Sequence, residues 1–600
     1  MSAVAGDSAS GATTARPARH RRIWPVLPVL VFLITLFLYP VAQLLAISFT
    51  DAKGAPSIAH YVRLFSSPVY VQVLLITFKV AAWTTVLAIV FGYPVAYLLA
   101  TTKPNTRGLL ILWVLLPFWT SFLVRTFAWI VLLGRKGAVN RWLEALGVVN
   151  APLSMIYNFT GVMIGMTHAL MPLAILTMTS VMQQIPTNLL PAAGTLGARG
   201  GQAFWRIYFP LSLPGVAAAG LLVFITALGF FITPALLGGN RETMITQVII
   251  ENIQSSLNWG FAGSVSMLLL VASLVVFYLY DRLLGLSTLA GQSSAARQGF
   301  VGAVGTRVGW LFIAALAQIC DRLGALREHL FPPDATRPNR GRSRAVLRVA
   351  ALCVIAFLVI PSFFVIPISF SRSAFMEWPP VGFTLDWYTT YFGSKLWISA
   401  TIRSFVTALL TATLAILIAT PAAFVLTRRS FPGKGLVMAF VMTPLILPRM
   451  IIAVALFYLY ARIGLVGTTL GLVLGHTVLA VPYVVITVMA VLKSYDDRLD
   501  NAAATLGASH WRTLRFITLP LIAPGIVSAF LFAFIVSFDE LTIALFTTGG
   551  LSATLPKLMW DDAVLKVSPL LAAASTVLLI FISVIILAAE WFRRKSERAT

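Results

Sequence analysis

Cysteine is nearly absent: Cys320 and Cys353 are the only two in 600 residues. Two such residues, the second inside an apolar run, argue against a disulfide framework and leave the compartment unread. The six histidines are scattered without ligand spacing, so no metal site is expected. Charged residues make up only 11% of the chain, and acids are the scarcest, 20 against 44 Lys and Arg. No phosphate-cradling G-x-x-x-x-G-K-[ST] loop occurs. The nearest cluster, F-P-G-K-G at Phe431 to Gly435, lacks its spacing. ATP chemistry is therefore not expected on this chain. The two-residue alternation of a membrane β-barrel is missing as well.

What is present is apolar sequence, 59% of the residues, with a mean hydropathy of +0.90. Runs of about 20 apolar residues are long enough to cross a hydrocarbon core. Inside lipid every backbone polar group must be paired locally, so these runs are predicted to be helices. Six fall in the first half, near Trp24–Phe49, Val71–Ala100, Leu109–Gly134, Ile156–Gln183, Gly215–Leu237 and Ala262–Leu284. Six more follow near Val346–Phe370, Ile402–Thr427, Leu436–Ala461, Val466–Leu492, Gly525–Thr547 and Val567–Phe592. The fold class is an all-α polytopic membrane protein, with two tandem six-helix domains at 24–285 and 346–592. A cytoplasmic tail at 1–23, expected to be disordered, a linker at 286–345 and a short tail at 593–600 complete the chain. The linker patch Val308 to Cys320 is too short to cross and reads as an interfacial or loosely packed helix.

The net charge of +24 would suggest nucleic acid on a soluble protein. Here the basic residues sit in short loops, where they orient the spans, so no nucleic-acid partner is implied. Arg16 to Arg22, Lys103, Arg107, Arg428, Arg429 and Arg593 to Lys595 all fall on one side, the cytoplasmic one. The loop with Arg135, Lys136 and Arg141 runs against this pattern.

The halves repeat. Gly161, Gly165, Thr167 and Pro172 recur as Gly471, Gly475, Thr477 and Pro482. Ala192-Ala193, Leu196-Gly197-Ala198, Pro210 and Pro214-Gly215 recur at the same offset of about 310 residues. An even number of spans per half gives both halves one orientation, so they should pair about a pseudo-two-fold axis along the membrane normal.

Between the fourth and fifth spans of each half lies a cytoplasmic segment. One reads L-L-P-A-A-G-T-L-G-A and the other L-D-N-A-A-A-T-L-G-A. A small-residue helix ended by a glycine, with a proline setting the angle into the next span, makes a rigid knob. In register and in duplicate, these segments resemble the EAA loops of importer-type ABC transporter permeases. The resemblance implies that Ala192, Ala193, Gly197, Ala502, Ala503 and Gly507 couple the chain to a dimer of cytoplasmic ATP-binding subunits. It implies further that ATP and Mg are held by that dimer, that no cofactor is bound here, and that an external solute-binding protein delivers cargo. The setting would be a bacterial inner membrane. One departure is plain: the family's leading Glu is Pro191 in one copy and Asn501 in the other.

The stretches L-P-F-W-T-S-F-L-V-R from Leu116 and S-F-D-E-L-T-I-A-L-F from Ser537 are similar to spermidine/putrescine-type permeases, which makes polyamines the first expectation for cargo. Ferric iron and thiamine stay open, since fused permeases of this superfamily carry them too. Ionisable residues within spans are costly and hence functional candidates. Asp539 and Glu540 could meet ammonium groups, with Trp119 and Trp129 adding cation–π attraction. Alternatively the two acids pair with Arg449 or Arg403 to lock helices. Arg125 reads as half of a structural ion pair. A secondary transporter is the rival from another class. A membrane enzyme is a third, but the acidic group Asp496, Asp497 and Asp500 reads as a solvated helix face among Arg498 and Lys493.

Overall fold

The computed structural model describes residues 24–284 and 340–584, apart from 52, 120, 199, 375, 376, 567 and 582, together with 314, 315, 318, 319, 322 and 326. The tails and most of the linker, including most of its patch Val308 to Cys320, lie outside the described residues. Among those described, every regular element is helical, and β pairing is limited to isolated bridges at Thr50–Pro56 and Ser371–Phe383. Among the described residues nine helices are long and apolar enough to cross a membrane, or eleven if each of two sharply bent helix pairs is one span. A shorter apolar helix, Pro569–Phe581, stands where the twelfth span is expected. The chain is a multi-pass membrane protein.

Two predicted spans are not continuous. The first breaks between Pro104–Trp119 and Phe122–Leu133. The second breaks between Lys434–Ile446 and Arg449–Ile463, where the axis turns by 94°. Pro448 explains the second break: it has no N–H to continue the ladder and forces Leu447 into extended backbone. At the first, the Ser121 hydroxyl accepts from the Leu123 amide and starts a new helix. The fifth spans start earlier than hydropathy suggests and end earlier too, at Leu228 and Phe538. Each is followed by a short separate helix, Ile232–Leu237 or Thr542–Thr547.

The repeat is visible atom by atom. The Ile245 amide donates to the Thr77 hydroxyl at 2.9 Å, and the Leu555 amide donates to the Ser404 hydroxyl at 2.7 Å. Ser48 and Tyr61 share a hydroxyl contact of 2.6 Å, as do Ser369 and Tyr388. The register also exposes a difference. Pro94 and Pro421 are 327 residues apart, whereas Pro172 and Pro482 are 310 apart, so the first half carries 17 extra residues between them. They build a lobe around helix Ala138–Ala145, absent from the second half.

The halves interlock through their first helices. Trp24–Ile47 packs on Arg449–Ile463 of the second half, and Arg340–Ile368 packs on Pro68–Thr101 and Phe122–Leu133 of the first. His168 meets the Leu358 carbonyl at 3.0 Å, and Trp129 packs on Phe357. One large apolar core runs through both halves.

Candidate functional site

The two knobs are short helices, Leu189–Thr195 and Arg498–Thr505, each ended by a glycine at positive φ, Gly197 at 83° and Gly507 at 80°. Glycine alone takes this conformation without strain. The Ala198 amide reaches back to the Ala193 carbonyl at 2.9 Å, and Ala508 to Ala503 at 3.0 Å, a six-residue closure that satisfies the helix end. Ala193 and Ala503 are buried, while Ala192 and Ala502 are exposed. At both tips a leucine stands almost wholly free, Leu196 at 88% and Leu506 at 87% exposure. The two copies of the repeat thus present one apolar side chain each at the same place.

The seats of the knobs differ. Behind the first lies a ring cluster, with Tyr97 4.8 Å from Tyr208 and 5.5 Å from Phe204. Behind the second, Asp500 accepts from Arg428 at 2.6 Å, from the Tyr495 hydroxyl at 2.7 Å and from the Thr518 hydroxyl at 2.9 Å. Arg428 also meets Asp497 at 3.1 Å. The acidic group is therefore not simply a solvated face: Asp500 is turned inward. Burial opposes its ionisation, but the hydrogen bonds from Tyr495, Thr518 and Arg428, with the Arg428 charge, hold its carboxyl below the usual range. No local signal announced this, because Arg428 is 72 residues away in sequence.

At the other candidate site the two acids part company. Glu540 is buried and caps helix Thr542–Thr547, accepting from the amides of Thr542 and Ile543 at 2.8 Å and of Ala544 at 3.3 Å. His476 lies 3.5 Å from it. Asp539 faces the first half, accepting from the Phe122 amide at 3.4 Å and from the Ser121 hydroxyl. Arg125 and Arg449 both lie within electrostatic reach of Asp539. Arg125 is buried, donates to the Ala169 carbonyl at 3.2 Å and stacks over Phe122. Arg449 is the cation beside Glu540 and is joined to Tyr483 at 3.4 Å.

Asp539 borders a cavity of about 10 Å³ with Ser121, Phe534, Phe538, Pro556 and Met559 among its walls. That holds one water at most, so the halves are closed here. Trp129 is buried against His168 and Phe357. The side chain of Trp119 lies outside the described residues. Lys136 of the unexpected basic loop pairs with Glu377 at 2.6 Å, which ties the extra lobe to the second half.

Residues 412–599 match the family described as "Binding-protein-dependent transport system inner membrane component". The spermidine/putrescine transport system permease protein PotB of Haemophilus influenzae is 35% identical over 257 residues, 42% of this chain and 90% of that protein. PotB of Escherichia coli is 33% identical over 264 residues, covering 44% and 95%. PotC of Haemophilus influenzae is 31% identical over 257 residues, covering 42% and 99%. A crystal structure of a bacterial alginate ABC transporter with its alginate-bound periplasmic protein aligns over 43% of this chain and 91% of that one, at 19% identity and a TM-score of 0.38.

Proposed function

Because this chain belongs to the family of binding-protein-dependent transport inner-membrane components, we propose that it supplies both membrane halves of an ATP-driven polyamine importer in a bacterial inner membrane. An external solute-binding protein delivers the cargo. A dimer of cytoplasmic ATP-binding subunits, which hold ATP and Mg, seats on the two knobs and drives the halves between outward- and inward-facing states by binding one better than the other. The chain itself needs no cofactor and does no covalent chemistry.

The observation that carries this reading is the pair of matched knobs, each with a free leucine at its tip. The cargo rests on what the relatives are named for. Asp539 fits that cargo: once the halves part, its carboxylate leaves Ser121 and Phe122 and faces the passage beside the stacked rings of Phe534 and Phe538. An ammonium group passing there would meet one charge and two π faces. Glu540, already satisfied by three amides, holds the helix beneath. A secondary transporter also uses broken helices, but it would leave the knobs without a purpose.

The test is uptake of labelled putrescine and spermidine into vesicles holding this chain, its ATP-binding subunit and loaded binding protein. Saturable, ATP-dependent uptake is expected, falling about tenfold or more in Asp539→Asn, the scale of losing one charge-assisted contact. Binding-protein-stimulated ATP hydrolysis with uptake of neither amine would overturn the cargo. Uptake indifferent to ATP would overturn the importer.

A further inference from the structure

The internal repeat allows the two knob seats to be compared position by position. At the 310-residue offset, Asp500, Tyr495 and Thr518 correspond to Leu190, Ile185 and Tyr208. At the 327-residue offset, Arg428 and Phe424 correspond to Thr101 and Tyr97. Each member of the polar cluster behind the second knob thus faces an apolar or aromatic counterpart behind the first, apart from Thr101. The polar cluster draws on four places: the end of the long helix Lys395–Arg428, Tyr495 just after helix Thr469–Ser494, the knob helix, and the turn Leu514–Thr518 that opens the next span. Arg428 is further fixed by lying over the rings of Tyr495 at 4.9 Å and Phe424 at 5.4 Å. Its own exposure and that of Asp500 are 24% and 22%, so the pair is only partly screened by water.

We propose that Arg428 and Asp500 are positioning residues for energy coupling, an ionic strap through which the long helix Lys395–Arg428 and the second knob move as one body. Behind the first knob the ring of Tyr97 on the long helix packs on Phe204 and Tyr208 in the turn that follows the knob. This inference rests on the importer reading above. It also accounts for the missing family glutamate on the second knob. Asn501 stands at that position, and the carboxylate one residue earlier is spent within the chain rather than offered to a partner. Ring packing tolerates sliding, because its contacts are many, weak and non-directional. A charge-assisted bond of 2.6 Å is directional and fails when its geometry is lost.

Two measurements on the full chain in proteoliposomes test the strap. Hydrogen–deuterium exchange of 498–507, compared with 189–198, reads whether the knob is held. Putrescine taken up per ATP hydrolysed, with the ATP-binding subunit and loaded binding protein present, reads whether the hold couples. Asp500→Asn and Arg428→Gln are each expected to speed exchange in the second knob only and to lower the uptake-to-ATP ratio, both by about tenfold. The swap Arg428→Asp with Asp500→Arg is expected to recover at least part of both. It also serves as the second variant should either single change fail to assemble. Exchange or a ratio unchanged from wild type in Asp500→Asn, or a swap no better than the singles, overturns the strap. Wild-type chain that takes up putrescine without regard to ATP sinks the importer reading instead, and the exchange comparison still decides whether the strap holds the knob.

Discussion

Asp539 accepts a hydrogen bond from the backbone amide of Phe122 across the join between the halves, at 3.4 Å. The repeat places Gly229 in the equivalent position of the first half, and there the pseudo-symmetric contact is bare packing. A Cβ on Gly229 would stand 3.0 Å from the Pro448 Cβ and 3.1 Å from its Cα. The two sides of one seal are thus a carboxylate on an amide and a glycine on a proline.

Gly229→Ala is expected to destabilise the closed chain by about 1–3 kcal/mol, because the opposing atoms belong to a rigid proline and cannot give way cheaply. Thermal unfolding in detergent checks this. Gly435→Ala, where nothing lies within 4 Å, is the comparison and is expected to be neutral or slightly stabilising. Equal behaviour of the two would remove the contact from the seal.

Glu540→Gln separates support from transport. Losing part of a three-amide cap inside the membrane is expected to cost about 1–3 kcal/mol in the same unfolding assay. The apparent KM for putrescine should hold, since the side chain points into its own helix. A shifted KM with unchanged stability would place Glu540 on the cargo path instead.

The exposed tips carry the next expectation. Leu196→Asp and Leu506→Asp should leave unfolding within about 0.5 kcal/mol of wild type, as surface changes do. Each should lower recovery of the ATP-binding subunit on co-purification, and the double change should abolish it. Full recovery with both tips charged would mean that the subunit seats elsewhere.

These knobs were legible because their information is local: two alanines, a leucine and a glycine in six residues specify a helix and its stop. The break at Leu447–Pro448 was legible in principle from its proline, but averaging hydropathy over a window smooths it away. The division of labour between Asp539 and Glu540 was not. Adjacent acids in an apolar run look alike until the chain turns at Asp539, sending one into a helix cap and the other to the far half. The polar seat of Asp500 was hidden for a different reason, since Arg428, Tyr495 and Thr518 arrive from separate elements.

Acid should act on that seat late. Asp500 has a depressed pKa when folded, so its contribution to stability is complete above the ordinary value of 3.8. It declines once pH falls below that ordinary value, where the unfolded state binds the proton first, and is gone below the lower folded value. The groups facing it are Arg428, Tyr495 and Thr518, with Asp497 on the far side of Arg428. The difference in unfolding temperature between wild type and Asp500→Asn should therefore stay constant from pH 7 to about 5 and begin to close near the ordinary value, disappearing only below it. A difference that closes already near pH 6 would contradict the depressed value.

The crossing of the first helices sets a timetable for synthesis. Trp24–Ile47 is made long before its partner Arg449–Ile463, which emerges about 400 residues later. At about 5–20 residues per second, the wait is on the order of 20–80 s. Until then one flank of Trp24–Ile47 faces lipid, and the nascent chain inhabits the bilayer as an unclosed half. Covalent continuity makes the final closure a unimolecular event at a fixed local concentration, with no diffusive search between separately inserted proteins and no surplus of either half.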